Sequence, residues 1–395
     1  MRFLPVNFLG QFSSLWRRSL PCALLAFAGA THADSDPTRF SLEELLSLTV
    51  DSGAKYAQGQ FEVAAAASVI TRQEIEVFGW RTLAEALASL PGMHVTYDRQ
   101  YHYLGTRGLG LPGDYNTRVL IMVNGQRLND TVYDQGPVGQ DFPVDMNLVE
   151  RLEYIPGPGS SLYGQNAMLG VVNVVTRQGA TVDGTQVQVG WQMPQRASQT
   201  QVMFGRQLDN GWDLLLSASG DHSRGQDLQL DFGHAAAPAR AMGLDGESVR
   251  RVFTSLSNDQ WRVHVLQGDR TKNDPTGSFF SMPLVPGQYS GDHYALASVE
   301  YRQPFWDGGL DFTGRLFAGN YRFDTWLMSV DGSPLDMSSV GRWQGAELRW
   351  LATGVANHKI SLGLEHQQNP RVDQQVLYAQ QPSRNVSIQS SGHLT

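Results

Sequence analysis

The stretch Val187-Gln188-Val189-Gly190-Trp191-Gln192-Met193 decides the fold of the second half of the chain, because its odd positions are apolar and its even positions are polar or glycine. A period of two places apolar side chains on one face of a β-strand and polar side chains on the other. The alternation recurs from about residue 180 onward, in 212–218, 261–265, 310–318 and 360–364. The second half is therefore predicted to be a series of amphipathic strands.

The connections between these strands have unequal lengths. Asp209-Asn210-Gly211 is typical of a tight turn between two strands, whereas the polar stretches 221–247 and 268–292 are predicted to be long loops. Short turns at one end and long loops at the other are typical of a transmembrane antiparallel β-barrel with an apolar outside and a polar inside. A soluble β-sandwich or β-solenoid is the alternative that the alternation leaves open.

The composition excludes several classes of protein. The chain has 395 residues and a net charge of −8, and only 17% of its residues are charged, which is fewer than the roughly 25% of an ordinary soluble domain. A single cysteine excludes a disulfide scaffold and a cysteine-based zinc site. The acidic balance argues against a nucleic-acid partner, which usually binds a basic face.

The N-terminus has the pattern of a secretory signal. Arg17 and Arg18 precede an apolar run over 20–30, and Thr31-His32-Ala33 supplies the small residues of a cleavage site. We therefore expect residues 1–33 to be a cleaved signal peptide. The alternative is a membrane anchor, but the run is shorter than the roughly 20 residues that a spanning helix needs.

The region 34–178 mixes helical and strand patterns. Three Ser/Thr-x-x-Glu sequences have the spacing of a capping box and predict helices over 41–48, 71–78 and 82–90. Apolar runs predict strands over 119–123, 149–155 and 170–175.

The motifs of enzymes are weak or absent in the sequence. The glycines of 108–113 match G-x-G-x-x-G, but the residues around them lack the strand-then-helix context of a dinucleotide site. The Gly157-Pro158-Gly159-Ser160-Ser161 stretch is not a nucleophile elbow, and no H-E-x-x-H sequence is present. We expect a protein that is not an enzyme and that has no cofactor and no metal centre.

Seven stretches in a fixed order resemble the plug of TonB-dependent outer-membrane receptors: 68–75, 83–93, 106–108, 119–127, 149–154, 157–164 and 170–176. The resemblance implies an α+β plug domain over 59–178, followed by a partial outer-membrane β-barrel over 179–395. The preceding segment, 34–58, holds a candidate TonB box formed by Leu48, Thr49, Val50 and Asp51, which would add as a strand to TonB. An ordinary helix exit is the alternative for those four residues.

The resemblance also implies contacts between the plug and the barrel. Arg107, Glu150, Arg151 and Glu153 are charges in apolar surroundings, and we expect them to form ion pairs with a polar barrel wall. The alternative is that Glu150 and Arg151 are solvated at a strand edge. The family commonly has an arginine just before the Gly-Pro step, where this chain has Pro156, so Arg151 is the candidate to replace it.

Ligand contacts in the family come from apical plug loops, which correspond here to 97–103 and 129–136. The candidates are Tyr101, His102, Tyr103 and Tyr133, because aromatic and imidazole side chains suit large, partly apolar metal chelates. Packing inside the plug is the alternative for each of them.

The barrel is expected to be incomplete. Plugged transporters have about 22 strands, but only 217 residues follow residue 178, and they contain about ten strand patterns. We therefore expect a receptor truncated to about ten strands, which as 395 residues neither inserts nor transports, because open sheet edges are unsatisfied in lipid.

The function that the resemblance implies is energy-coupled uptake of a large, scarce nutrient across the outer membrane of a Gram-negative cell. The expected partners are periplasmic TonB, outer-membrane lipid and a metal chelate. A ferric siderophore is the leading ligand class, and cobalamin or haem is the alternative. A non-transporting binding or signalling module and, more remotely, a periplasmic enzyme are the other hypotheses.

Overall fold

The structure is a computed structural model that describes residues 49–50, 58–59, 67–231, 233, 237–355 and 358–394. The predicted signal peptide and the predicted helix over 41–48 lie outside the described residues. No helix in the described ranges is both long enough and apolar enough to cross a bilayer.

The plug region is built around a five-stranded sheet with the order β3-β8-β9-β6-β7, in which β6 and β9 are parallel. The strands β4 and β5 form a separate hairpin, and β1 and β2 form a two-stranded pair that precedes the five-stranded sheet in the chain. The strands are β1 Thr49–Val50, β2 Gln58–Gly59, β3 Ser68–Thr71, β4 Met93–Tyr97, β5 His102–Thr106, β6 Val119–Val123, β7 Gln126–Arg127, β8 Val149–Pro156 and β9 Gly170–Thr176.

The plug helices are short and begin where the sequence predicts. The side chains of Thr71 and Thr82 each accept a hydrogen bond from the backbone N–H of the glutamate three residues later. The carboxylate of that glutamate accepts a hydrogen bond from the backbone N–H of the threonine, so both capping boxes are confirmed. Gly79 ends the first helix with φ +67°, a conformation that costs glycine little. The helices are α1 Arg72–Phe78, α2 Leu83–Ala88, α3 Ser160–Tyr163 and α4 Gly179–Val182, and a 3₁₀ turn covers Met146–Leu148.

The second half forms one antiparallel sheet of ten strands in the order β10-β11-β12-β15-β16-β17-β18-β19-β20-β21, and β13–β14 is a small hairpin within one connection. The expected count of about ten strands is confirmed. The strands are β10 Gly184–Gln192, β11 Ala197–Gln207, β12 Asp213–Ser223, β13 Leu228–Leu230, β14 Ala239–Ala241, β15 Glu247–Ser257, β16 Trp261–Asn273, β17 Tyr289–Phe305, β18 Leu310–Met328, β19 Pro334–Ala352, β20 Ile360–Tyr378 and β21 Val386–Leu394, with 3₁₀ turns at Ser278–Phe280, Trp306–Gly308 and Pro382–Arg384.

The apolar positions of the alternating stretches point away from the plug. Val189 is 75% exposed, Leu316 65% and Leu364 64%, whereas the inward-facing Arg270 is 3% exposed and Asp292 1%. A soluble sandwich would bury the apolar face between two sheets. The barrel reading is therefore confirmed, and the sandwich alternative is wrong.

The predicted long loops are shorter in the structure. β12 runs to Ser223, β16 to Asn273, and β17 begins at Tyr289, so the connections cover only 224–246 and 274–288. The polar residues at these strand ends continue the sheet beyond its apolar band and were therefore mistaken for loop. Because alternate connections of an antiparallel meander lie at the same end, both long connections share one end of the sheet.

Candidate functional site

The plug loop 98–101 meets the sheet at the end that carries the long connections. The Arg99 guanidinium pairs with Asp245 of the 224–246 connection at 3.1 Å, and the Gln100 side-chain amide donates to the Asn273 carbonyl at 3.1 Å. We call this end of the plug the apical face; it carries the loop 97–103 that the resemblance implies for ligand contacts, and that role stays a prediction.

Tyr101 is part of the plug–wall interface rather than an open ligand surface. Its ring is 3% exposed, and its hydroxyl donates to the Asp292 carboxylate on β17 at 3.1 Å. Burial and the nearby Asp292 charge raise the pKa of Tyr101 well above its usual value, so the phenol stays protonated.

Arg270 on β16 organises the wall around this tyrosine. Its guanidinium donates to Asp292 at 3.1 Å, to Glu247 at 2.7 Å and to the plug carbonyl of Gln100 at 2.5 Å, and it lies 5.2 Å from the centre of the Tyr101 ring. One buried cation thus satisfies two wall carboxylates and one plug carbonyl, which is the arrangement that makes a buried ion pair tolerable.

Tyr103 and His102 are also engaged inside the plug. The Tyr103 hydroxyl donates to Asp98 at 2.5 Å, and the ring is 3% exposed. The His102 ring stacks on Tyr97 with 4.3 Å between centroids. Burial, reinforced by the positive charge of Arg270, lowers the pKa of His102 to about 4, so the imidazole is neutral at pH 7.

Tyr133 is the most exposed of the four predicted ligand residues. It is 36% exposed and makes edge contacts with the wall rings of Tyr321 and Phe323 at 6.4 Å and 6.1 Å between centroids. The carboxylate of Asp130 fixes its loop by accepting the backbone N–H groups of residues 132, 133 and 135 at 2.7–3.0 Å. Tyr97, 39% exposed at the end of β4, begins the predicted loop 97–103 but was not named as a ligand candidate, because no sequence pattern distinguishes an exposed tyrosine from a packed one.

Wall arginines also bind the plug away from the apical face. Arg251 on β15 donates to the Phe142 carbonyl at 2.9 Å and the Gln140 carbonyl at 3.0 Å. Arg315 on β18 donates to the Gly125 carbonyl at 2.6 Å and the Asn124 carbonyl at 3.3 Å. At these two sites the wall supplies the cation and the plug supplies backbone acceptors, whereas at the apical face the plug residue Arg99 pairs with the wall carboxylate of Asp245.

The predicted ion-pair residues of the plug have different surroundings. Arg151 pairs with Glu153 along β8 at 2.8 Å, and Glu153 is fully buried. Glu150 lies at a register shift of β8, and Arg107 is exposed in the turn after β5; neither has an ion pair with any described residue. The pairing of Arg151 and Glu153 with the wall stays a prediction.

A polar cavity of about 470 Å³ separates the base of the plug from strands β15–β19. Arg151 lines it from the plug, and Arg315, Glu300 and Glu347 line it from the wall. The lining includes residues 258–261 of a short turn, so the cavity lies at the end of the sheet opposite the plug loop 98–101.

The candidate TonB box is described at two of its four positions. The backbone of Thr49–Val50 is a short strand paired antiparallel with Gln58–Gly59, whereas Leu48 and Asp51 lie outside the described residues. The assignment of the box stays a prediction.

Comparison with known proteins agrees with this architecture. The sequence profile of the TonB-dependent Receptor Plug Domain matches residues 60–171. The fold is similar to the ferric yersiniabactin uptake receptor FyuA from Yersinia pestis, with a TM-score of 0.56 at 15% identity over 84% of this chain and 60% of that one.

Two further solved structures have the same fold. The siderophore receptor PiuA from Acinetobacter baumannii gives a TM-score of 0.62 at 14% identity over 89% of this chain and 52% of that one. The ferric citrate transporter FecA gives 0.64 at 19% identity over 85% and 52%. The chain thus spans about half the length of the receptors it matches; its residues 60–171 match the plug-domain profile, and its second half is an antiparallel sheet of ten strands.

Proposed function

We propose that this chain belongs to an outer-membrane receptor that takes up a ferric siderophore with energy delivered by TonB. The observation that carries the proposal is a plug docked by buried contacts against the inner face of an amphipathic sheet whose outer face is apolar. The names of the similar structures, which include a siderophore receptor and a ferric yersiniabactin uptake receptor, support an iron chelate as the ligand.

The apical face supports the ligand class. Tyr97 and Tyr133 offer exposed aromatic surface, and the Arg99 guanidinium lies 5.8 Å from the centre of the Tyr97 ring. Aromatic rings and a cation suit a bulky chelate that carries negative charge. Tyr101, Tyr103 and His102 would support this face from beneath.

Coupling to TonB would use the extended segment around Thr49–Val50. Because strand addition reads mainly the backbone, its degenerate sequence is no obstacle. A cleaved signal over 1–33 would deliver the protein to the periplasm, and the proton gradient across the inner membrane would supply the work.

Ligand binding can be measured on the purified chain by tryptophan fluorescence. Titration with ferric hydroxamate, ferric catecholate, ferric citrate, haem and cobalamin should show quenching by one iron chelate. Tyr133→Ala should weaken that binding about tenfold, since a contact ring contributes about 1.5 kcal/mol. Trp306→Ala is the matched control, because this ring is 79% exposed in a short turn at the other end.

Binding of haem or cobalamin alone would replace the siderophore assignment, and binding of none would contradict the proposal. Growth of a strain that lacks the gene, on the same compounds as sole sources, tests uptake. Chelate binding without a growth defect would instead support a non-transporting binding or signalling module.

A further inference from the structure

The polar cavity at the base of the plug, which we call the basal cavity, has the size of a small-molecule site. Its volume is about 470 Å³, and pockets that bind small molecules usually cover about 300–1,000 Å³. The sheet lines it with the inward-facing side chains of β15–β19. Leu348, the neighbour of Arg349 on β19, is 38% exposed on the opposite face of the sheet. The cavity therefore lies between polar side chains of the plug and of the wall.

The lining of the basal cavity carries excess positive charge on an acidic chain. Six arginines and four acidic side chains line it, which leaves two positive charges in excess, although the whole chain has a net charge of −8. The wall acids are already engaged by wall arginines. Glu300 pairs with Arg262 at 3.1 Å and with Arg315 at 2.5 Å, and Asp311 pairs with Arg302 at 2.9 Å. The excess charge therefore has to be balanced from outside these pairs.

Two of the lining arginines, Arg349 and Arg177, have only neutral partners. Arg349 is half-buried and donates at 3.4 Å to the hydroxyl of Thr313, which is opposite it in register on β18. Arg177 is 6% exposed and donates to the Gln186 side chain at 2.9 Å and to the Thr181 carbonyl at 3.2 Å. Neither forms an ion pair within the part of the chain that the structure describes. Because a guanidinium has five N–H donors, both arginines can still bind an anion.

His264 on β16 adds an imidazole without a partner. It lines the basal cavity, and it is opposite Ser255 of β15 in register. Both of its ring nitrogens are buried, and neither has a hydrogen-bond partner among the described residues. A neutral imidazole has one N–H donor and one acceptor, and buried polar groups of this kind are nearly always satisfied. A molecule bound in the cavity would supply the missing partner.

We propose that the basal cavity binds a small organic polycarboxylate, with Arg349, Arg177 and His264 as its donors. A guanidinium matches the two oxygens of a carboxylate with parallel hydrogen bonds, and two arginines without acidic partners call for at least two negative charges on the ligand. A single inorganic anion would leave most of the 470 Å³ unfilled. A ferric chelate held by carboxylates has the same chemistry, so the cavity would receive such a cargo after it leaves the apical face. Naming the cargo rests on the proposed function, whereas the charges of the cavity do not.

Calorimetric titration of the purified full chain with iron-free citrate tests the proposal. We expect saturable binding that weakens about tenfold in Arg349→Gln and in Arg177→Gln, because each variant removes a hydrogen bond from a charged donor. Arg349→Lys should lose less, since it keeps the charge but not the paired donors. Arg342→Gln is the matched control on the same strand. Arg342 is exposed and faces outward, because its neighbour Gly341 lies against the plug residue Thr131.

Hydrogen exchange on the unmodified chain locates the bound citrate. Protection should rise at the amides of 176–178 and 258–262, which line the cavity, and stay unchanged in the apical loop 97–103. Absence of citrate binding, protection confined to the apical loop, or an equal loss of affinity in Arg342→Gln overturns the basal site and leaves the proposed receptor intact.

Two further outcomes separate the ligand from the function. Equally tight binding of inorganic phosphate overturns the polycarboxylate assignment. Citrate protection of the cavity in a chain that binds no iron chelate would support the basal site and contradict the proposed function instead. Far-ultraviolet circular dichroism of each variant confirms that the sheet is retained.

Discussion

Replacing Arg315 with methionine should release one segment of the plug without disturbing the sheet. The Arg315 guanidinium bonds the plug carbonyls of Gly125 and Asn124 and the wall carboxylate of Glu300. Methionine keeps most of the stem volume and removes all of these donors. The shorter plug bond is worth about 1.5–3 kcal/mol because its donor is charged, and the longer bond adds less.

A loss of about 3 kcal/mol corresponds to a more than hundredfold rise in the population in which the segment is open. Hydrogen exchange at the amides of residues 124 and 125 reports that opening, because they donate to the Val174 carbonyl and to the Asn173 side chain. Exchange at these two amides should accelerate about a hundredfold in Arg315→Met, whereas the inter-strand amides of β18 should stay protected.

The wall offers a matched control. Arg262 also pairs with Glu300, at 3.1 Å, but it is 52% exposed and makes no described hydrogen bond to the plug. Arg262→Met should therefore leave plug exchange unchanged. The double variant Arg315→Met/Glu300→Gln removes the stranded wall charge and should still show fast exchange at 124 and 125. Slow exchange in Arg315→Met, or equally fast exchange in Arg262→Met, would refute the role of Arg315.

Two further predictions concern packing and protonation. The pKa of His102 is lowered from 6.5 to about 4, so the folded protein disfavours the imidazolium. The free energy of unfolding is therefore highest above pH 6.5 and falls as the pH drops toward 4, because the unfolded chain takes up the proton first. Thermal denaturation should show about 2 kcal/mol lost by pH 5, and His102→Gln should remove that component; an unchanged pH profile would contradict it. Gly268→Ala should destabilise the plug–wall contact by about 1–3 kcal/mol, because the new methyl group would lie 2.6 Å from Pro143. Gly363→Ala is the control in the same unfolding measurement, since its nearest neighbour is at 3.8 Å, and an equal effect would rule out the clash.

The features predicted correctly from the sequence are those set by local rules. Outward exposure of Val189 and Leu364 follows from the period of a strand, and the helix starts at Thr71 and Thr82 follow from a hydroxyl and a carboxylate three residues apart. Such patterns involve only residues close together in the chain, so they do not depend on how the rest of the chain folds.

The bonds from wall arginines to the plug could not be predicted because the plug partner is a backbone carbonyl, which has no sequence signature. Arg270 and Arg315 bind carbonyls that lie 170 and 190 residues earlier in the chain. Every residue carries a backbone carbonyl, so only the position of the folded plug against the sheet decides which carbonyl each arginine binds. The residue type of Tyr101 fits both ligand contact and packing; its bond to Asp292 shows a packing contact, and its contact with ligand stays a prediction.

The bonds between wall cations and plug carbonyls have a mechanical consequence for the proposed receptor. When such a bond breaks next to the 470 Å³ polar cavity, water can solvate both the guanidinium and the carbonyl, so most of the bond's gross energy is recovered. Separating an interface of interdigitated apolar side chains would instead expose apolar surface to water on both sides, which is unfavourable. Because Arg315 stays bonded to Glu300, the wall keeps its charge balance while the plug segment leaves. A plug held in this way is firmly positioned at rest and can still be displaced segment by segment, as a pull on its N-terminal strand would require.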